Sequence, residues 1–259
     1  MKPENDLTAP ADFDLAAALV QYWDADASTY DHSTTHRIHT AAQQAAWNAV
    51  VLAHLPPPPA HVLDVGTGTG FLALLLARLG YKVTAQDISP RMLEQLRVYS
   101  TEEGLDITLL ESEANDPPPG PFDVVTERLL MWTLPDPVST LQAWRRVAPG
   151  GQLLCFGGVW GAADRAQALL DRGKDYLHRL LRRHNHHHHA PYGEDLQQSL
   201  PMAKGVSPSL AVELASAAGW TDVRLERLRD VEWANALTMG LPERLLGATP
   251  EYLMTARAP

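Results

Sequence analysis

From Leu15 to Leu55 the apolar side chains recur at helical spacing, first as Leu15, Ala18, Leu19 and Tyr22 and later as Trp47, Val50, Val51 and Leu55. The spacing predicts two or more helices ahead of the main fold, a cap over residues 1–55. Pro56 to Pro59 cannot continue a helix, because proline lacks the backbone donor and clashes with the preceding turn, so a stiff connection follows. Beyond it the period alternates. Apolar runs at His61–Val65 and Lys82–Gln86 read as strands, and Gly70–Leu79 and Pro90–Glu103 as helices. Leu72, Leu75, Leu76 and Leu79 share one helix face with Gly80 as the C-terminal stop, and Ser89 and Pro90 suit the cap and first turn of the next helix.

Further strands are expected at Ile107–Leu110, Phe122–Thr126 and Gln152–Phe156, with a helix from Pro137 to Val147 behind Asp136. The rhythm breaks over residues 158–206, which predicts a lid-like insertion after the fifth strand. It resumes with a helix from Pro208 to Ala218 and strands at Val223–Leu228 and Tyr252–Arg257. Alternating β and α units imply an α/β, doubly wound, mostly parallel seven-stranded sheet, expected as a single domain over residues 1–259.

Composition narrows the class. The 259 residues are 45% hydrophobic and 20% charged, which suits a packed core. A formal net charge of -10 opposes phosphate backbones, so no nucleic acid partner is expected. Cys155 is the only cysteine and falls in the apolar run of a strand, which excludes an intramolecular disulfide and points to a reducing, cytoplasmic setting. Met1 to Leu15 carries Lys2, Glu4, Asp6, Asp12 and Asp14 with no apolar run, so neither a leader nor a membrane association is expected. Monomer and homodimer both stay open.

The chemistry concentrates at Asp64-Val65-Gly66-Thr67-Gly68-Thr69-Gly70, where a buried strand passes through alternating glycines into a helix. Glycines there allow a tight turn and close approach of a ligand to the backbone, and the helix start supplies amide donors. A dinucleotide loop would need glycine three positions past Gly68, where Phe71 stands, so a pyrophosphate ligand and a nicotinamide dehydrogenase are disfavoured. Asp87, 21 residues beyond Gly66, falls at the end of the second strand, where a carboxylate can accept from two ribose hydroxyls. Adenosine without pyrophosphate fits best.

On these residues the chain resembles the class I S-adenosylmethionine-dependent methyltransferases, whose first motif is an acidic residue followed by alternating glycines, here Asp64, Gly66, Gly68 and Gly70. Asp87-Ile88-Ser89-Pro90 looks like the family's ribose turn, Glu113-Ala114 like its Asp-Ala pair beside adenine, and Phe122-Asp123-Val124-Val125 like its fourth strand. Glu127-Arg128 and the following residues to Pro135 are similar to a bacterial small-molecule subgroup, in which this stretch borders the methionine end of the cofactor. Tyr22-Trp23 and Tyr30-Asp31 fit amino-terminal elements that close over cofactor and acceptor. The resemblance implies a Rossmann-like methyltransferase fold, S-adenosyl-L-methionine as cofactor and a small-molecule acceptor. It assigns cofactor binding to Tyr22, Tyr30, Asp64, Gly66, Gly68, Gly70, Asp87, Ile88, Glu113, Ala114, Glu127 and Arg128.

Tyr22, Glu127 and His184 are the candidates for a catalytic base. His184 opens the run His184-Asn185-His186-His187-His188-His189, which admits a solvated loop, a lid touching substrate, or a metal site. Adjacent imidazoles cannot all point at one ion and no fixed acidic or thiolate partners accompany them, so no metal is expected. Rival functions are a reaction at another carbon of the same cofactor, by cyclisation or group transfer, and a cofactor-binding module without turnover.

Overall fold

A computed structural model of the chain describes residues 13–33, 35–159, 173, 192–240, 244 and 249–259. Helix α1 (Leu15–Asp26) starts where Asp14 accepts the Ala17 amide, and α2 (Ala41–His54) starts at a reciprocal cap between Thr40 and Gln43. Then come β1 (His61–Val65), α3 (Phe71–Arg78), β2 (Lys82–Asp87), α4 (Pro90–Glu103) and β3 (Ile107–Glu111). Ser89 caps α4 by accepting the Met92 amide, with Pro90 in the first turn, and Gly104 ends the helix in the left-handed region. The chain continues through β4 (Val124–Arg128), α5 (Pro137–Val147) and β5 (Gln152–Gly158). Beyond residue 191 lie α6 (Glu194–Ser199), α7 (Pro208–Ala217), β6 (Thr221–Arg227), α8 (Arg229–Ala236) and β7 (Glu251–Arg257).

The strand order is β3-β2-β1-β4-β5-β7-β6. The first five pair in parallel, whereas β7 runs antiparallel to both β5 and β6. Alternate strand residues face opposite layers, which is why the core divides in two. Val62, Val83, Val124, Leu154 and Leu253 pack with Trp47, Leu72, Leu75 and Val231, while Leu63, Val125, Leu153 and Met254 pack with Leu141, Trp144 and Ala211 on the other side. Strand order reverses between β1 and β4, and the carboxyl ends of those strands form the crevice in which sheets of this type bind ligands.

Several expected bounds differ from the structure: β6 begins at Thr221 rather than Val223 and ends at Arg227, and β4 runs past Thr126 to Arg128. The fourth strand begins at Val124 rather than Phe122, because the Phe122 amide turns to the Val147 carbonyl and Asp123 accepts the His61 amide at 2.7 Å before the ladder with β1 starts. Helix α8 was not anticipated; its polar sequence buries only Val231, Ala234 and Asn235. Most of the expected insertion over residues 158–206 lies outside the described residues, as does the histidine run with His184. Its far end, from Tyr192, packs through Leu196 and Leu200 against Leu19 of α1.

Candidate functional site

The glycine loop is shaped by side chains beneath it. Asp64 is buried at the end of β1 and accepts Thr67 Oγ1 at 2.6 Å and Thr126 Oγ1 at 2.9 Å, so it ties the loop to β4. Burial pushes its carboxyl up to about 6 in spite of those two bonds. Gly66, Gly68 and Gly70 all have positive φ. A Cβ on Gly66 would lie 2.6 Å from a Leu130 methyl, and one on Gly70 would collide with Leu96. On Gly68 it would find the Tyr30 ring 3.8 Å away, with room between. The loop amide at Gly68 donates to Asp87 Oδ2 at 2.8 Å, and the Ser89 amide donates to Asp87 Oδ1 at 2.9 Å. Asp87 thus joins the two loops that follow β1 and β2, and burial raises its carboxyl to about 6.

These loops border a cavity of about 370 Å³. Gly66, Gly68, Asp87, Ile88, Glu113, Ala114, Arg128 and Tyr30 all line it. The Glu113–Ala114 backbone is fixed from below, since Gln86 Nε2 donates to the Glu113 carbonyl at 2.5 Å and Trp144 Nε1 to the Ala114 carbonyl at 2.7 Å. Glu113 itself is exposed on the rim. Arg128 lays its guanidinium over Phe71 at 4.1 Å and donates to the Thr35 carbonyl at 2.9 Å, while its buried Nε has no hydrogen-bond partner among the described residues. Tyr30 stacks on His36 with ring centres 4.1 Å apart, and burial holds its hydroxyl at about 12.

Among the described residues the cavity wall omits Tyr22, Asp64, Gly70 and Glu127. Of the pair Tyr22-Trp23 it is the indole that reaches the wall, whereas the Tyr22 ring packs edge-on against Tyr192, with centres 4.4 Å apart. Glu127 is buried under the next turn, where its Oε2 accepts the Leu130 amide at 2.8 Å and its carboxyl meets the Cys155 thiol. Sequence reasoning missed several wall residues. Ser112, Asn115 and Thr140 carry no motif signal, Thr133 falls within the stretch from Glu127 to Pro135 without an assigned role, and Leu15 and Leu19 read only as a helix face. Among the described residues no group of His, Cys, Asp and Glu could hold a metal, and no helix is long and apolar enough to cross a membrane.

A glycine-floored cavity at the switch point, with the buried carboxylate of Asp87 in its wall, is the arrangement of the ligand-binding doubly wound α/β class. Residues 62–151 match the family described as methyltransferase domain. The chain is 33% identical over 183 residues to a ubiquinone biosynthesis O-methyltransferase of Xanthomonas axonopodis pv. citri, covering 69% of this chain and 72% of the relative. Among solved structures it is similar to geranyl diphosphate C-methyltransferase of Streptomyces coelicolor, with a TM-score of 0.61, 12% identity, and 97% and 100% of the two chains covered. It is also similar to phosphoethanolamine N-methyltransferase 2 of Haemonchus contortus, with a TM-score of 0.60, 17% identity, and 96% and 61% covered. The chain belongs to the class I S-adenosylmethionine-dependent methyltransferases and is an enzyme of that kind.

Proposed function

We propose that the cavity binds S-adenosyl-L-methionine itself and that the chain delivers the methyl group to a hydroxyl oxygen of a small-molecule acceptor. The observation that carries the cofactor reading is the meeting of Gly66, Gly68, Asp87, Ile88, Glu113, Ala114 and Arg128 on one cavity whose ribose position offers a buried carboxylate. Oxygen as the acceptor atom rests on the O-methyltransferases to which the chain is similar. When bound, the cofactor supplies an electrophilic methyl carbon on a sulfonium.

The chain's own part is chiefly to hold the reactants close and aligned. We assign to Asp87 the two ribose hydroxyls, to Ile88, Glu113 and Ala114 the adenine, and to Arg128, whose guanidinium charge stands in the cavity wall, the anionic end of the amino-acid portion. Tyr22 is proposed as a wall support rather than a base, since burial raises its hydroxyl well above the ordinary phenol value and keeps it protonated at neutral pH. Glu127 is proposed as the anchor of the turn at Leu130, and Asp64 and Gly70 as shape-givers of the glycine loop. His184 lies outside the described residues.

Incubation with methyl-labelled S-adenosylmethionine and a panel of small phenols and catechols tests the reading. Label in an ether-linked product, with one S-adenosylhomocysteine released per transfer, is expected. Methylthioadenosine as the product would overturn methyl transfer, and label on nitrogen or carbon would overturn the choice of oxygen.

A further inference from the structure

The amino-terminal segment closes one side of the cofactor cavity, since α1 contributes Leu15, Ala16, Leu19 and Trp23 to its wall and the next turn contributes Tyr30. That side stays closed only while the segment stays in place. Two carboxylates fasten it. Asp24, in the last turn of α1, accepts Ser89 Oγ at 2.6 Å and the Arg91 amide at 3.2 Å, with the Arg91 guanidinium 3.9 Å away. Asp31, beside Tyr30, accepts Thr69 Oγ1 at 2.6 Å, bonds the Tyr99 hydroxyl, and has the Arg37 guanidinium at 3.7 Å.

The partners of these acids are informative. Ser89 sits two residues past Asp87 and shares its turn, because its own amide donates to that carboxylate. Thr69 stands between Gly68 and Gly70. Each acid therefore grips one of the two loops that line the cavity, both from the carboxyl-terminal end of the segment that covers them. Both carboxylates are largely shielded, with side chains 23% and 15% exposed, so these short charge-assisted bonds are less screened than surface pairs.

We propose that Asp24 and Asp31 are positioning residues, paired latches that hold α1 and the Tyr30 turn across the cavity and set how long a nucleoside ligand stays bound. The inference rests on the cofactor reading given above. Stopped-flow tryptophan fluorescence, with Trp23 in the wall as reporter, measures association and dissociation of S-adenosylhomocysteine. In Asp24→Ala and Asp31→Ala, dissociation is expected to rise about tenfold or more, the lower end for loss of a charge-assisted hydrogen bond, with association little changed. Thr69→Val should speed dissociation in the same direction as Asp31→Ala but by no more than that variant, which also loses the contacts to Tyr99 and Arg37, and Thr69→Ser should restore the wild-type rate. The double variant Asp31→Ala/Thr69→Val should be no worse than Asp31→Ala alone, as partners in one bond require. In turnover, KM for the cofactor should rise more than kcat falls.

Folded variants with wild-type dissociation, or losses in Asp31→Ala and Thr69→Val that multiply, would overturn the latches. If Asp31→Ala fails to fold, the threonine pair and Asp24→Ala decide the matter alone. Failure of the wild-type protein to bind S-adenosylhomocysteine would instead strike the cofactor reading.

Discussion

Asp87 has two opposed demands placed on it. Burial favours its neutral form, yet its assigned role is to accept hydrogen bonds from two hydroxyls, which favours the carboxylate. With its carboxyl raised to about 6, the accepting form dominates at neutral pH and is lost as pH falls through that value. Calorimetry should therefore show cofactor affinity that is level above pH 7 and weakens below pH 6, and Asp87→Asn should flatten the dependence while lowering affinity throughout. Asp87→Ala removes both bonds, at roughly 1.5 to 3 kcal/mol each, so its dissociation constant should rise more than tenfold. Unchanged binding in folded Asp87→Ala protein would remove the ribose assignment. The neighbouring Gly68 tests the floor of the cavity by shape rather than charge. Its Cβ direction is open except for Tyr30 at 3.8 Å, so Gly68→Val meets no clash in the protein, although a branched residue at a φ of +56 is strained and lowers stability; the folded variant should lose cofactor binding. Retained binding would mean that the loop is only a turn.

At the scale of elements, the turn after β4 is held by one acid. Leu129 sits at φ +60 and its amide bonds the Phe156 carbonyl, while Glu127 takes the Leu130 amide and reaches the Met131 amide. Burial raises the Glu127 carboxyl from 4.5 in the unfolded chain to about 7 in the fold, so the folded state holds the proton more tightly. The stabilisation from that proton is full below about pH 4.5 and is lost as pH rises through 7. Glu127→Gln keeps the acceptor for Leu130 without the charge. In denaturant titrations the wild type should lose on the order of 3 kcal/mol relative to Glu127→Gln between pH 4.5 and pH 8. Parallel pH profiles for the two proteins would show that Glu127 does not carry this burden. The same residue explains where the sequence was hard to read. β1, α3, β2 and α4 were legible almost to the residue, because continuous apolar runs end at Gly66, Gly80, Ser89 and Gly104, whose backbone and cap roles are strong local signals. Glu127-Arg128 looked like the start of a loop because charged residues are rarely buried, yet both belong to β4 and are covered by the packing of β5 and α2. Local chemistry likewise announced the glycine loop and Asp87. Asp31 was marked only as part of the Tyr30-Asp31 element and Asp24 not at all, since the partners that make them latches lie 38 and 65 residues away.

The whole molecule joins parts of unequal strength. Two large apolar layers cover the sheet on either face, and the strands they bury include both that flank the switch point. A third cluster stands apart from the sheet. Leu19 of α1 meets Leu196 and Leu200 near α6, with Phe13, Tyr22, Trp23 and Tyr192 around them, and the Trp132 ring stacks on Tyr192 with centres 5.1 Å apart. This satellite joins the amino-terminal cap to the chain that follows residue 191, and it borders the cavity through Leu19 and Trp23. Small satellite clusters open at lower free energy than a central core, so α1 and the stretch from Tyr192 to Ala203 should exchange their amide hydrogens together and earlier than β1, β4 and β5. Leu196→Ala leaves a cavity in that cluster and costs about 2 to 5 kcal/mol where packing cannot relax. Because the cost falls on a local unit, exchange should quicken in both α1 and 192–203 while the sheet keeps its protection. Bound S-adenosylhomocysteine should slow α1 again, since the ligand would lie against Leu19 and Trp23. If Leu196→Ala speeds exchange in the sheet to the same degree, the cap and the sheet are one cooperative unit and the cap does not open separately. If it speeds 192–203 but leaves α1 unchanged, the aromatic and leucine contacts across the satellite do not couple the two.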